Sequence, residues 1–151
     1  MLAVVLSASP RDVPAIGEVE RKLFPQSFSE RQLLAELREG HGLIVHNNGC
    51  VVGYCLLRGD HNLVEITRLA VTEPFRRAGL GTALLEAAKQ YAGDRTLFLQ
   101  VEKSNAGALK LYRRSGFDIT GECGNTWAML CNAPQSPPTH YLHHPQVEYV
   151  T

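Results

Sequence analysis

A chain of 151 residues can bury one real core but not two. Its apolar content of 44% and charged content of 20% are those of an ordinary soluble globular protein. Fifteen basic and fifteen acidic side chains cancel, which excludes a global field drawing the chain to nucleic acid or to an anionic membrane, and neither is expected as a partner.

The opening Met1-Leu2-Ala3-Val4-Val5-Leu6 lacks a basic stretch and is far too short for a signal peptide or a span, so residues 2–6 read as a first strand. Ser9, Pro10 and Asp12 supply capping and helix-start chemistry for a helix over 13–23. Residues 24–28 break it. Ser29 followed by Gln32 predicts a capping box for a helix through Leu33, Leu34 and Leu37, ending near Gly40. Residues 42–46 and 50–57 are strands joined at Asn47-Asn48-Gly49, a strong hairpin signal.

Residues 63–71 form a long apolar strand. Apolar residues at helical spacing (Leu80, Leu84, Ala87, Ala88, Tyr91) predict a helix over 80–92. A strand over 96–101 precedes a helix over 104–114 capped by Gly116, and a last strand pair, 117–121 and 126–131, surrounds Gly124-Asn125.

From Asn132 the composition changes, with Pro134, Pro137, Pro138 and Pro145 close together and a short Val147-Tyr149-Val150 end. The division is therefore one domain over 1–132 and a proline-rich extension over 133–151. The extension is expected to dock on its own domain or on a neighbour, the latter giving a homodimer. Cys50, Cys55, Cys123 and Cys131 show no C-x-x-C spacing, which points to reduced thiols in a cytoplasmic protein. His140, His143 and His144 have no acidic or cysteine ligand beside them, and no metal site is expected.

The most informative stretch is the junction after Val71. A proline turn leads to Arg76-Arg77-Ala78-Gly79-Leu80-Gly81-Thr82, two glycines spaced G-x-G at the start of a helix. Such a junction cradles phosphate, because free N–H groups and the positive end of the helix dipole converge on one spot. Glycine lets the backbone approach the anion without a Cβ in the way. It is neither a Walker loop, lacking Gly-Lys-Ser/Thr, nor a dinucleotide fingerprint, lacking a third glycine and a later acid.

Arg76, Gly79 and Gly81 in the spacing R-x-x-G-x-G resemble the acetyl-CoA signature of the GNAT N-acetyltransferase superfamily. Downstream, Asn105, Ala108, Tyr112, Gly116 and Phe117 resemble its N-x-x-A-x-x-x-Y-x-x-x-G-F element. The resemblance implies an α/β fold with a mixed, mostly antiparallel sheet flanked by helices, and acetyl-CoA as co-substrate for N-acetylation of a primary amine. It implies that residues 77–82 hold the pyrophosphate and that the backbone of Leu69, Ala70 and Val71, on a strand that splays from its neighbour, serves the pantetheine and the thioester oxygen. Asn105 would contact pantetheine, and Tyr112 would be the acid for the leaving thiolate.

Within the superfamily, residues 97–117 look most like the ribosomal-protein-alanine N-acetyltransferase (RimI) type, whose L-E-V-x-x-S-N element uses its Glu as base. Here Gln100 stands at that position and cannot accept a proton. Ser27-Phe28-Ser29 after Pro25 resembles that type's Pro-Trp-Ser stretch, in a region that helps to line the acceptor groove. Glu102 shares the face of Gln100 by alternation. Glu65 is the alternative base, resembling the strand glutamate of the histone acetyltransferase branch. Strict alternation puts Glu65, Thr67, Leu69 and Val71 on one face and Val64, Ile66, Arg68 and Ala70 on the other, so Arg68 should point away from Glu65. Burial would raise the pKa of Glu65 toward that of a useful base, while an ion pair with Arg58 is the structural alternative. The acceptor is expected to be a protein N-terminus or lysine. A small amine (polyamine, aminoglycoside or amino acid) and a non-catalytic acyl-CoA-binding module are the other two readings.

Overall fold

Helical spacing and strict alternation divide the chain between them, and the elements follow that division. The computed structural model describes residues 3–76 and 78–131 and the backbone of 149–150. β1 (Val5–Ser7) lies slightly later than residues 2–6, because its antiparallel register with β2 (His41–Asn47) pairs Val5 with Val45 and Ser7 with Leu43. α1 (Val13–Leu23) follows a 3-10 turn at Pro10–Asp12. α2 (Glu30–Glu39) starts on the expected capping box: the Gln32 N–H donates to Ser29 Oγ at 3.1 Å and the Ser29 N–H to Gln32 Oε1 at 2.8 Å.

β2 turns into β3 (Cys50–Gly59) through Asn48 and Gly49, both at positive φ, the conformation a two-residue hairpin loop requires. Then come β4 (Leu63–Val71), α3 (Leu80–Ala92), β5 (Thr96–Glu102), α4 (Ala106–Arg114), β6 (Asp118–Cys123), β7 (Thr126–Cys131) and β8 (Tyr149–Val150). α4 begins two residues later than the spacing predicts, because Asn105 is its N-cap and accepts the Ala108 N–H at 3.2 Å.

Among the described residues the strands form one sheet in the order β1-β2-β3-β4-β5-β7-β6, with β8 added on β4. Only β4–β5 and β4–β8 are parallel; the β4–β5 link runs through α3, the crossover that a parallel pair needs. Leu43, Val45, Leu57, Val64, Ile66, Leu69 and Val71 pack under α3 and α4, while Ile44, Tyr54, Leu56 and Ala70 pack under α1 and α2.

Strict alternation fails in β4. The ladder with β3 pairs Leu56 with Arg68 but Leu57 with Ile66, so Thr67 is an extra residue, a β-bulge. Upstream of the bulge Val64 and Ile66 face α3; downstream Leu69 and Val71 do. Arg68 is therefore turned to the α1–α2 face, the same face as Glu65, which corrects the expectation that it points away.

β4 and β5 pair only at Leu63–Thr96, Val64–Leu97 and Glu65–Phe98, and beyond Glu65 the two strands part. On that freed edge β8 pairs in parallel, Tyr149 with Leu69 and Val150 with Ala70. The end of the extension thus docks on its own domain. Residue 132, the remainder of the extension (133–148 and 151) with His140, His143 and His144, and also Arg77 of the cradle lie outside the described residues.

Candidate active site

The cradle begins where β4 ends. Thr72 donates its N–H to Val52 O at 2.8 Å, and a 3-10 turn over Glu73–Phe75 brings Arg76 back, so that its Nε donates to Val71 O at 2.9 Å. Arg76 therefore braces the loop against the strand it leaves. Gly79 caps α3 with φ of 81°, a left-handed conformation that side chains with a Cβ rarely adopt, and a Cβ built there would meet open space. The first helical bond is Ala83 N–H to Gly79 O at 3.0 Å, so the N–H groups of Leu80, Gly81 and Thr82 have no partner within the helix. Ala78, Gly79 and Thr82 are exposed while Leu80 and Gly81 are buried against the core. Backbone donors without a helical partner at a positive helix end, with a glycine cap and room above it, fit a pyrophosphate.

On the α3–α4 side, Tyr112 is fully buried in the core that contains Leu69 and Val71, with its ring edge-on to Phe117 at 5.8 Å. Asn105 sits at the other end of the same short helix. The sheet stands between these groups and Glu65; β4 and β5 part beyond Glu65, and the β4 edge at Leu69 and Ala70 carries β8.

Glu65 lies at the last β4–β5 pair before the parting and is 2% exposed. Desolvation is the main cause that pushes its pKa from the ordinary carboxylate range up to about 8; Arg58 opposes the rise and Glu36 adds to it. Arg58 is directly opposite Glu65 in the β3–β4 ladder, yet its guanidinium ion-pairs with Glu36 and, at 3.1 Å, with Glu39. Gln100 is 3% exposed. Leu97, Leu99 and Val101 face α3, so Phe98 and Gln100 share the Glu65 face. Glu102, at the end of β5, is half-buried.

A cluster that sequence reasoning missed lies beside these residues. Glu20 of α1 is fully buried and accepts from Arg68 Nε at 2.8 Å, from Tyr54 Oη at 2.5 Å and from the Phe28 N–H at 2.7 Å. Arg68 also donates to Gln26 O at 3.2 Å, and its guanidinium lies 4.1 Å from the Phe24 ring centroid and 4.2 Å from that of Phe28. The cluster pins the α1–α2 connection onto β4 next to Leu69. Its signal was present: Val13, Ile16 and Glu20 share one helical stripe, so a carboxylate stands on the buried face of α1.

Residues 13–117 match the acetyltransferase (GNAT) family, and the chain belongs to that family. It is 30% identical over 131 residues to an N-alpha-acetyltransferase of Sulfurisphaera tokodaii, covering 75% of this chain and 78% of that one. Its fold is that of the ribosomal-protein-S18-alanine N-acetyltransferase of Escherichia coli, with a TM-score of 0.76 at 24% identity over 94% of this chain and 99% of the other. It also matches the PaiA N-acetyltransferase of Thermoplasma acidophilum, solved with coenzyme A, at a TM-score of 0.76 and 19% identity over 87% of this chain and 99% of the other. The chain is an N-acetyltransferase with acetyl-CoA as its co-substrate. No helix among the described residues is long and apolar enough to cross a membrane.

Proposed function

We propose that this protein acetylates the α-amine of a protein or peptide N-terminus by direct transfer from acetyl-CoA. The observation that carries the reading is Glu65, a carboxyl buried where β4 and β5 part, with its pKa raised to about 8. An α-ammonium holds its proton with a pKa of about 7.7–8.0 and a lysine side chain about 10.4. A base at about 8 therefore takes the first proton at almost no cost, and the second at roughly 3 kcal/mol. The N-alpha-acetyltransferase similar to this chain supports the same acceptor.

In this reading the backbone of Arg77, Ala78, Gly79, Leu80, Gly81 and Thr82 holds the pyrophosphate, with Arg76 bracing the loop. Leu69, Ala70 and Val71 offer backbone groups along the pantetheine arm, one N–H facing the thioester oxygen. Asn105 contacts the arm from the start of α4. Glu65 takes a proton from the ammonium; the neutral nitrogen attacks the thioester carbonyl; the tetrahedral oxyanion collapses, and the C–S bond breaks. Tyr112 gives its proton to the departing thiolate, and the second proton, shed by the nitrogen as it becomes an amide, restores the tyrosine. Residues 1–132 form the catalytic unit and 133–151 the extension, and the reduced thiols of Cys50 and Cys55 suit a cytoplasmic enzyme.

Thiol release from acetyl-CoA, measured across free-N-terminus peptides, N-blocked peptides with a free lysine, and small amines, tests the reading. Turnover on the free N-termini is expected. Turnover confined to lysine or small amines would overturn the acceptor, and tight CoA binding with no turnover would make the protein a binding module.

A further inference from the structure

The pairing of β4 with β5 ends at Glu65–Phe98, while its pairing with β3 continues to Val71. The freed edge carries main-chain N–H and C=O groups that β5 no longer takes up, and such an edge is a ready template for an added strand. β8 is that strand. The chain leaves the sheet at Cys131 and re-enters it where Tyr149 pairs with Leu69 and Val150 with Ala70, in parallel. β8 therefore runs in the same direction as β4, along the stretch between Glu65 and the α3 cradle. A pantetheine arm asks the same edge for the same thing. It too is an extended chain bearing amide N–H and C=O groups, and one backbone edge cannot pair with two chains at once.

We propose that β8 is a built-in competitor of the co-substrate: acetyl-CoA must displace it from the parted edge of β4 to lay its pantetheine arm there. This rests on the reading under which Leu69, Ala70 and Val71 serve that arm. A ladder of two residue pairs is weak by itself. The strand belongs to the same chain, however, and a flexible link gives it an effective concentration on the order of millimolar. It therefore holds an edge that a free peptide of the same length would not. Its weakness keeps the contact reversible, so the co-substrate can win. The observed affinity for coenzyme A is the intrinsic affinity reduced by the fraction of molecules in which the edge is open. The protein thus binds its co-substrate less tightly than the edge and the cradle together would allow.

The test is NMR of the full-length chain titrated with coenzyme A, alongside calorimetry on the double variant Tyr149→Pro, Val150→Pro, which lacks both N–H donors of the added strand. Saturating coenzyme A should shift the amides of Leu69, Ala70 and Val71 and abolish the cross-strand NOEs that tie them to Tyr149 and Val150. The double variant should bind coenzyme A about threefold to tenfold more tightly. Its affinity for adenosine 3′,5′-diphosphate, which has no arm, should be unchanged. Cross-strand NOEs that persist at saturation would overturn the proposal, as would unchanged or weaker coenzyme A binding by the variant. An equal gain for adenosine 3′,5′-diphosphate would overturn it too, since the arm would then not be what β8 displaces. The reading of the arm's place fails by a separate sign: coenzyme A shifts the amides of Gly79, Gly81 and Thr82 but leaves those of Leu69, Ala70 and Val71 where they were.

Discussion

Arg68 and Glu20, 48 positions apart in the chain, meet as a two-pronged ion pair inside the protein, with Nε to Oε1 at 2.8 Å and Nη2 to Oε2 at 3.2 Å. Neither charge reaches solvent to any useful extent, so each depends on the other. Removing one partner, as in Arg68→Leu, should destabilise the fold by about 3–5 kcal/mol, because the remaining charge is left uncompensated. Urea unfolding of Arg68→Leu, Glu20→Leu and the double variant checks this. The double variant should cost clearly less than the sum of the two, and strict additivity would show that the pair is not coupled.

Gly79→Val should weaken CoA binding by about tenfold or more, since a β-branched residue resists the left-handed backbone that sets the α3 donors at the proposed pyrophosphate site. The side chain would project into open space, so the fold should survive. Titration calorimetry on the folded variant decides the matter, and unchanged affinity would count against the cradle.

In the proposed mechanism Tyr112→Phe removes the proton donor for the leaving thiolate, a group needed mainly in the transition state. It should lower kcat by about tenfold to a thousandfold with little change in KM for acetyl-CoA. Turnover within twofold of wild type, with chemistry rate-limiting, would make Tyr112 a packing residue.

Glu65 has a folded pKa of about 8, above its ordinary value near 4.5. The fold prefers the protonated form, so its contribution to stability is full below about 4.5 and is lost as the pH rises through about 8. Glu65→Gln should therefore gain in melting temperature relative to wild type as the pH is raised across that window. Its kcat/KM should fall and lose the lower limb that Glu65, as the proposed base, would give wild type near pH 8. Gln100→Glu puts a second carboxylate on the same face, raises both proton affinities, and should bring little gain at neutral pH. A pH-independent difference in melting temperature would mean that Glu65 is not held neutral.

The pairing of β8 with Leu69 and Ala70 occupies the edge that a pantetheine arm would use. Removing residues 149–151 should tighten acetyl-CoA binding and lower its KM. Equal or weaker binding by the truncated chain would show that the terminus does not compete with the co-substrate.

Much of this architecture is legible along the chain where local chemistry decides. The Ser29/Gln32 box, the Asn48-Gly49 turn and the glycine at the head of α3 each fix a boundary by capping or by φ, and α1, β4 and α3 fall where the spacing places them. The burial and raised pKa of Glu65 also follow from a carboxylate in an apolar strand. What alternation could not reveal is the bulge at Thr67, because a register shift depends on the partner strand and not on the residues that slip. For the same reason the partners of Arg58 and Arg68 were out of reach: Glu36 and Glu20 come from helices whose placement is a tertiary matter.

Thr67 divides β4 into two phases. In the first, odd-numbered Glu65 turns to α2 while Val64 and Ile66 fill the core; in the second, even-numbered Arg68 and Ala70 take the outer position and Leu69 and Val71 the inner. A single uninterrupted phase could satisfy only one half of the strand. Continued from Glu65, it would drive the Arg68 guanidinium into the hydrocarbon around Leu84 and leave Glu20 with a buried charge and no counter-ion. The strand is thus sensitive to how Thr67 is accommodated: flattening the bulge with every residue kept would put half of it inside out, whereas losing Thr67 itself would leave Glu65 and Arg68 outward and Ile66 and Leu69 inward in plain alternation.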